Sequence, residues 1–222
     1  MQRTTMHSKI IRAAAILCLL TPYKGEPQGT FVNLDFESAV VPSVPAGQFG
    51  ADVPVTNGVP GWGVYLGGLQ QSSMLHNNLT LSAAAVAILG PTWFSNQILE
   101  NSYTVSLLPS TTGPQVDAAI AQTGQIPASA HSVQFWGSGG YTVTFSGQPI
   151  PVTAIGNGPN YPIFGGDVSM FADQTGELRF TGAGLLDNIV FSSQAIPEPG
   201  TIALSGLALV ACVTRLRKKL KR

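Results

Sequence analysis

The chain has 222 residues, 44% of them hydrophobic and only 10% charged, which is enough apolar material for one domain with its own core. The formal net charge is zero, but between residues 25 and 196 a single cation, Arg179, stands against ten carboxylates. A segment this acidic repels phosphate backbones, so nucleic-acid binding is excluded. The two cysteines, Cys18 and Cys212, lie in terminal apolar runs, which leaves residues 25–196 without a disulfide, a thiolate nucleophile or cysteine-bound zinc.

The first 24 residues are predicted to be a secretory signal peptide. A basic stretch precedes the apolar run 13–20, which is too short to cross a bilayer but matches the core of a signal peptide. Residues 21–24, Thr-Pro-Tyr-Lys, depart from the small-residue pattern of a cleavage site. The alternative is that this run is a buried terminal strand or helix.

Residues 25–195 are predicted to form an all-β domain. Apolar and polar residues alternate with the period of two that is typical of strands. This pattern predicts strands at 32–37, 103–107, 133–135, 141–145 and 178–180, and a nearly continuous apolar run predicts another at 185–191. Several short strands separated by Gly- and Pro-rich turns favour an antiparallel β-sandwich of the jelly-roll kind.

Three further segments complete the predicted domain. The Gly-Ser-Gly-Gly sequence at 137–140 predicts a hairpin turn between two strands. Residues 115–122 are the one stretch with a helical pattern. The Pro-, Gly- and Val-rich segment 40–60 indicates an irregular loop.

Two short motifs make the sandwich prediction more specific. Asn-Leu-Asp-Phe-Glu at 33–37 is followed by Val-Pro-Gly-Trp at 59–62, and Leu-Asp-Asn-Ile-Val-Phe stands at 186–191. This combination resembles galactose-binding-like jelly-roll domains of exported bacterial proteins. The resemblance implies that the first and last strands are neighbours and that they hold a structural calcium ion.

The implied calcium ligands are hard oxygen donors, which calcium prefers. They are Asp35, Glu37, Asp187 and Asn188. The alternative is that these side chains are solvated groups on an outward face.

The segment 196–222 has three parts in a fixed order. Pro197, Glu198 and Pro199 are followed by the uncharged run 201–213 and then by six cations among the last eight residues. This order resembles the PEP-CTERM sorting signal of exported bacterial proteins. The resemblance implies that an exosortase in the inner membrane cleaves near Pro-Glu-Pro and that the protein then passes to the cell surface or the exopolysaccharide matrix.

Physical reasons support each part of that signal. The two prolines keep the backbone extended and accessible to a processing enzyme. The apolar helix enters the bilayer and the cationic tail stays on the cytoplasmic side. A helix over residues 200–214 would be about 22 Å long, shorter than the ~30 Å hydrocarbon core. A permanent membrane tail is the alternative interpretation.

The side chains of residues 25–195 show no recognisable catalytic spacing. His76 and His131 belong to no metal or triad pattern, and no nucleophile elbow is present. Aromatic residues could stack on sugars or fill the core, namely Trp62, Trp93, Trp136, Tyr65, Tyr141 and Tyr161. Carboxylate pairs of glycosidases have no fixed sequence spacing, so a pair of that kind stays open.

The sequence therefore predicts a non-catalytic exported protein of the cell surface or of an exopolysaccharide (biofilm) matrix, with glycan binding as a candidate activity. Its predicted partners are an exosortase-type enzyme, an extracellular polysaccharide and, before processing, the inner membrane. The alternative is an exported glycan-active enzyme, similar to a glycoside hydrolase, with a divergent carboxylate pair.

Overall fold

The computed structural model describes residues 28–44, 47–48 and 50–196. The predicted signal peptide, the Pro-Glu-Pro tripeptide, the predicted membrane helix and the basic tail lie outside the described residues. Within those described ranges, no helix has the length and apolar character needed to cross a bilayer.

Strands make up about half of the described residues, with two single-turn helices and one 3₁₀ turn (Ser169–Phe171) between them. The strands are β1 (Ala51–Pro54), β2 (Gly63–Leu66), β3 (Leu69–Gln71), β4 (Ser73–His76), β5 (Ala85–Leu89), β6 (Thr104–Leu108), β7 (Ala118–Gln125), β8 (Ser132–Phe145), β9 (Gln148–Ile150), β10 (Val152–Asn157), β11 (Pro162–Asp167) and β12 (Thr175–Ser192). The helices are α1 (Val55–Gly58) and α2 (Pro91–Phe94). The prediction of an all-β, antiparallel domain is confirmed, with β4 and β5 as a parallel pair.

Two long strands, β8 and β12, organise the whole sheet. They pair with each other from Leu178 opposite Phe145 to Ser192 opposite Ser132. On its other edge β12 pairs first with β7 and then with β6. β7 continues to β2 and β3, whereas β6 continues to β5, β4 and β1. β8 divides in the same way between β9 and β11, and β11 continues to β10.

Each long strand therefore contributes to both layers of a sandwich, and the core lies between them. The ring of Phe180, from the first half of β12, packs edge-on against Phe135 of β8 at 5.2 Å. It also contacts Trp62 at 6.3 Å, and Trp62 contacts Phe36 at 5.8 Å. All four residues are buried, and each such side chain contributes roughly 1.5–3 kcal/mol to folding.

The two layers meet where glycines of the paired strands β8 and β12 lie opposite each other, a segment here called the glycine crossing. Gly139, Gly182 and Gly184 have φ values of +147°, +156° and +132°, which disfavour any residue with a side chain. A Cβ atom at Gly184 would overlap the carbonyl oxygen of Ser138, and one at Gly139 would overlap that of Ala183. The partner of β12 changes from β7 to β6 between Gly182 and Gly184, so the change of layer occurs at this crossing.

The predicted hairpin at 137–140 is therefore wrong. These four residues lie in the middle of β8 and pair with residues 183–186 of β12. Glycines that usually mark turns here permit a close backbone approach within one continuous strand. The predicted strands on either side of them are two halves of β8, just as 178–180 and 185–191 are two halves of β12.

Three other local predictions also differ from the structure. The predicted helix at 115–122 is not formed. Residues 115–117 belong to no helix or strand, and the rest lies in β7, whose two edges pair with β12 and β2. This pairing overrides the helical propensity of the alanines in β7. The predicted strand at 32–37 is a series of turns with positive φ at Asn33 and Phe36. The predicted loop at 40–60 contains β1 and α1.

Replacing Gly184 by Ala should lower the free energy of unfolding by about 2–4 kcal/mol, because the added methyl group meets backbone that cannot move aside. Gly140→Ala is the matched control in the facing strand, since a Cβ there has nothing within 4 Å. It should cost no more than about 1 kcal/mol. Urea unfolding of both variants checks this, and equal losses would refute the crossing as the constraint.

Candidate functional site

The segment 31–38 lies against the second half of β12. The Ile189 N–H donates to the Leu34 carbonyl at 2.9 Å, and the rings of Phe31 and Phe191 stack at 5.3 Å. β12 is bulged here, between Asp187 and Val190. The predicted proximity of the first and last motifs is therefore confirmed, although the first of them is not a strand.

This contact collects four carboxylates, here called the acidic cluster: Asp35, Glu37, Glu100 and Asp187. Burial raises the pKa of Glu100, and the negative charges of Asp35 and Glu37 raise it further. Burial also raises the pKa of Asp187 to about 7, with a smaller contribution from Glu37 and against the hydrogen bonds that this carboxylate accepts. Glu100 was not among the predicted site residues, because no sequence pattern connects a loop residue with strands 60 to 90 positions away.

Glu37 and Asp187 fasten the loop that contains Glu100. Glu37 Oε1 accepts hydrogen bonds from the N–H groups of Ser102 at 3.0 Å and Tyr103 at 2.9 Å. Asp187 Oδ2 accepts from Thr104 Oγ1 at 2.7 Å and from the Glu100 N–H at 3.3 Å. These bonds hold the end of the connection between β5 and β6.

The other predicted ligand atoms are also engaged locally. Asp187 Oδ1 accepts the N–H of Asn188 at 2.7 Å, and Asp35 Oδ1 accepts the N–H of Glu37 at 3.3 Å. Among residues 28–44, 47–48 and 50–196, no group of three or more Asp, Glu, His or Cys side chains is arranged so that it could hold a metal ion. The structure thus brings Asp35, Glu37, Asp187 and Asn188 together, and calcium binding by them stays a prediction.

Residues 90–103 form the β5–β6 connection, which carries the exposed Trp93 on α2. At its start, the Gly90 N–H donates to Asn77 Oδ1 at 2.6 Å, and Asn77 is buried. The connection is fastened at both ends by buried or half-buried polar side chains. Trp93 is 54% exposed, which is unusual for so large an apolar side chain.

Trp62, Trp136 and Tyr161 also contact other parts of the protein. Trp62 is in the core, and its Nε1–H donates to the Asn33 carbonyl at 3.0 Å. Trp136 is half-buried and stacks on Tyr161 at 4.9 Å. Burial raises the pKa of Tyr161, and the charges of Glu100 and Asp187 raise it further, so this aromatic pair borders the acidic cluster.

The two remaining tyrosines also have partners in the structure. The Tyr141 hydroxyl donates to the Leu185 carbonyl, and burial raises the pKa of this phenol. The Arg179 guanidinium lies 4.1 Å above the ring of Tyr65. Arg179 also forms an ion pair with Glu177 at 2.8 Å. The one Lys or Arg between residues 25 and 196 is therefore paired with a carboxylate of its own strand, β12.

Neither histidine is part of an arrangement that activates a nucleophile. His76 is buried with Nδ1 unpartnered, and burial lowers its pKa, which favours the neutral ring. His131 Nδ1 lies 3.3 Å from Ser169 Oγ, but that hydroxyl donates to Asp167 at 2.6 Å. In a catalytic triad the carboxylate instead orients the histidine.

Two surface clefts lie on either side of Gln71. One, of about 220 Å³, has polar lining from Asp52, Ser73 and Thr80. The other, of about 450 Å³, is lined by residues that include Trp62 and Gln70. The first is smaller than usual small-molecule sites, and in the second the indole N–H is already bonded within the protein.

Comparison with protein families matches residues 195–219 to the PEP-CTERM protein-sorting motif. The match includes Pro197, Glu198 and Pro199 and confirms the predicted sorting signal. The chain is thus a protein with an exosortase recognition signal, which implies export and membrane anchoring before processing. No curated protein and no solved structure matches the chain.

The buried Asp187 makes stability depend on pH. Its folded pKa of about 7 is higher than the ordinary value of 3.8, so its contribution is fully present below pH 4 and is lost as pH rises to 7. Within that window, each pH unit should lower the unfolding free energy by up to about 1.4 kcal/mol. Urea unfolding at several pH values should show this slope. The slope should be much smaller in Asp187→Asn, where Glu100 with its raised pKa still contributes, and should be retained in Asp52→Asn, which alters an exposed carboxylate; a slope unchanged in Asp187→Asn would refute the assignment.

Thermal unfolding with and without calcium tests the predicted calcium site. Calcium at a hundred times its dissociation constant should add about 2.7 kcal/mol if it binds only the folded protein, a melting-temperature rise of about 5–10 °C. That rise should disappear in Asp187→Ala. Equal melting temperatures in chelator and in millimolar calcium, or an undiminished rise in the variant, would reject calcium binding by the acidic cluster.

Proposed function

We propose that this chain is a non-catalytic protein of the cell surface or extracellular matrix, and that it binds neutral polysaccharide through the β5–β6 connection. The observation that carries the proposal is the exposed Trp93 on a connection that is fastened at both ends. The sorting motif supports delivery to the compartment in which such polysaccharides occur.

Trp93 supplies the apolar part of the proposed contact. The face of a sugar ring carries C–H groups that pack on an aromatic face, and an indole offers the largest such surface. A side chain of this kind contributes most when its support is rigid before the ligand arrives. The hydrogen bonds that Glu37, Asp187 and Asn77 accept from this connection and from Thr104 provide that support.

The acidic cluster supplies the polar part. Carboxylate oxygens accept hydrogen bonds from sugar hydroxyls, and charge-assisted bonds are stronger than neutral ones. Glu100 lies on the same connection as Trp93 and is half-buried. Glu100 therefore lies on the β5–β6 connection, which Glu37 and Asp187 hold in place through hydrogen bonds to its backbone.

Charge selects among polysaccharides. Between residues 25 and 196 ten carboxylates accompany one cation, and that cation is paired with Glu177. An anionic polymer such as alginate would meet electrostatic repulsion at low salt. The proposed ligand class is therefore a neutral polymer of hexoses.

Affinity electrophoresis through gels containing dextran, cellulose derivatives or alginate tests the proposal. A neutral polymer should retard the protein and alginate should not. Trp93→Ala should weaken the retardation at least tenfold, about 1.4 kcal/mol. Met170→Ala is the control, because Met170 is also large and 67% exposed. Equal losses in both variants, or none in Trp93→Ala, would refute the role of Trp93.

The enzyme alternative predicts a different result in the same samples. Products should accumulate from the retarding polymer, and a single carboxylate substitution, such as Glu100→Gln, should stop their formation. The proposed binding protein should release no reducing sugar over a long incubation.

The sorting motif generates its own prediction. Glu198→Ala should leave the sandwich folded, because residue 198 follows the last strand by several positions, yet should trap the precursor in the inner membrane. Intact mass of the surface fraction should show wild-type protein ending near Pro199. Release of the variant at the wild-type rate would contradict recognition through Glu198.

A further inference from the structure

The first residues of the sorting motif are bound to the sandwich. After β12 ends at Ser192, the Gln194 carbonyl accepts a hydrogen bond from Ser132 Oγ at 2.7 Å, and the Gln194 N–H donates to Ser192 Oγ at 3.1 Å. These bonds keep residue 194 beside Ser132, where β8 begins and β12 ends. The chain does not leave the domain where its last strand ends.

Ile196 then lies over Gly165 of β11. A Cβ atom built on Gly165 would stand 2.5 Å from Cδ1 of Ile196 and 2.8 Å from Cδ1 of Ile155 on the neighbouring β10. The missing side chain therefore leaves a notch, formed by Gly165 and Ile155, that the Ile196 side chain occupies. We call it the Gly165 notch. Ile196 is half-buried there, one residue before Pro197.

We propose that the Gly165 notch holds the sorting motif against the folded domain and thereby limits the rate at which the exosortase processes it. Ile196 is, in this proposal, a positioning residue that acts on the motif beside it.

The chain between Ile196 and the uncharged run is short. With Ile196 in the notch, only five peptide steps separate it from Thr201, where the uncharged run begins, a span of at most about 18 Å. The folded domain can then stand no further than this span from the start of the uncharged run, which leaves an enzyme little room around the Pro-Glu-Pro tripeptide. Release of residues 193–196 would add roughly 13 Å of extended chain and room for an enzyme around the tripeptide.

The fraction of molecules in which residues 193–196 are released sets the size of the effect on the processing rate. If the enzyme acts on the released form only, the observed rate is reduced by the fraction of molecules in that form. A half-buried isoleucine and two hydrogen bonds make the held form the major one. Weakening the notch should therefore speed processing about three- to tenfold.

Pulse–chase labelling of the full chain, in cells with an active exosortase, measures the conversion of precursor to processed protein. Gly165→Ala fills the notch without altering the motif, and Ile155→Ala removes one of its walls. Gly156→Ala is the matched control, since a Cβ at Gly156 on β10 has its nearest neighbour at 3.9 Å. The first two variants should be processed about three- to tenfold faster, and the control at the wild-type rate.

Hydrogen exchange of the purified full-length precursor in detergent provides a second readout. Peptides that cover residues 192–196 should exchange faster in Gly165→Ala, while those from β8 and β12 keep their protection, which shows that the variant is folded. Faster exchange with unchanged or slower processing would overturn the proposal. Exchange that does not change in either notch variant would overturn it as well.

Discussion

The close approach of β8 and β12 at Gly139, Gly182 and Gly184 is the constraint on which the rest of the structure depends. Because no side chain separates the two backbones there, both strands can pass from one layer of the sandwich to the other and remain paired along their length. Among the described strands, β6, β7, β9 and β11 pair directly with these two, and the remaining strands extend outward from those four. The rings of Phe135 from β8 and Phe180 from β12 pack edge to face in the core.

The same strand pair determines where the acidic cluster forms. Beyond the glycine crossing, β12 is bulged at Asp187, whose carboxylate binds the end of the β5–β6 connection, while Glu37 binds it from the other side. Burying these carboxylates costs free energy, as the pKa of Asp187 shows. That cost is offset by backbone N–H groups that would otherwise lack partners.

The sequence contained the fold class, the acidic motifs and the sorting signal, but little of the strand order. Alternation marked three pieces of β8 and β12 correctly, because one face of each piece is buried, and a nearly continuous apolar run marked the fourth, 185–191. The sequence pattern could not show that the Gly-Ser-Gly-Gly segment 137–140 continues a strand, since glycine serves both turns and close backbone contacts. Glu100 and Trp93 stand in a connection without periodicity, so only tertiary contacts reveal their place. The segment 32–37 alternates like a strand, yet hydrogen bonds such as Ser38 N–H to Asn33 Oδ1 close it into turns.

The position of β12 in the chain has a consequence for export. A polypeptide led by an N-terminal signal peptide, as the sequence predicts here, emerges from the translocon unfolded and with its N-terminal end first. Of the described strands, β12 would then emerge last, although it pairs with three others. Pairings between distant segments form slowly, and here the central one must wait for Ser192. The domain can close only when the sorting motif, three residues further on, has reached the membrane. By this route, the pairing of β12 that completes the domain would coincide with the arrival of the sorting motif at the membrane.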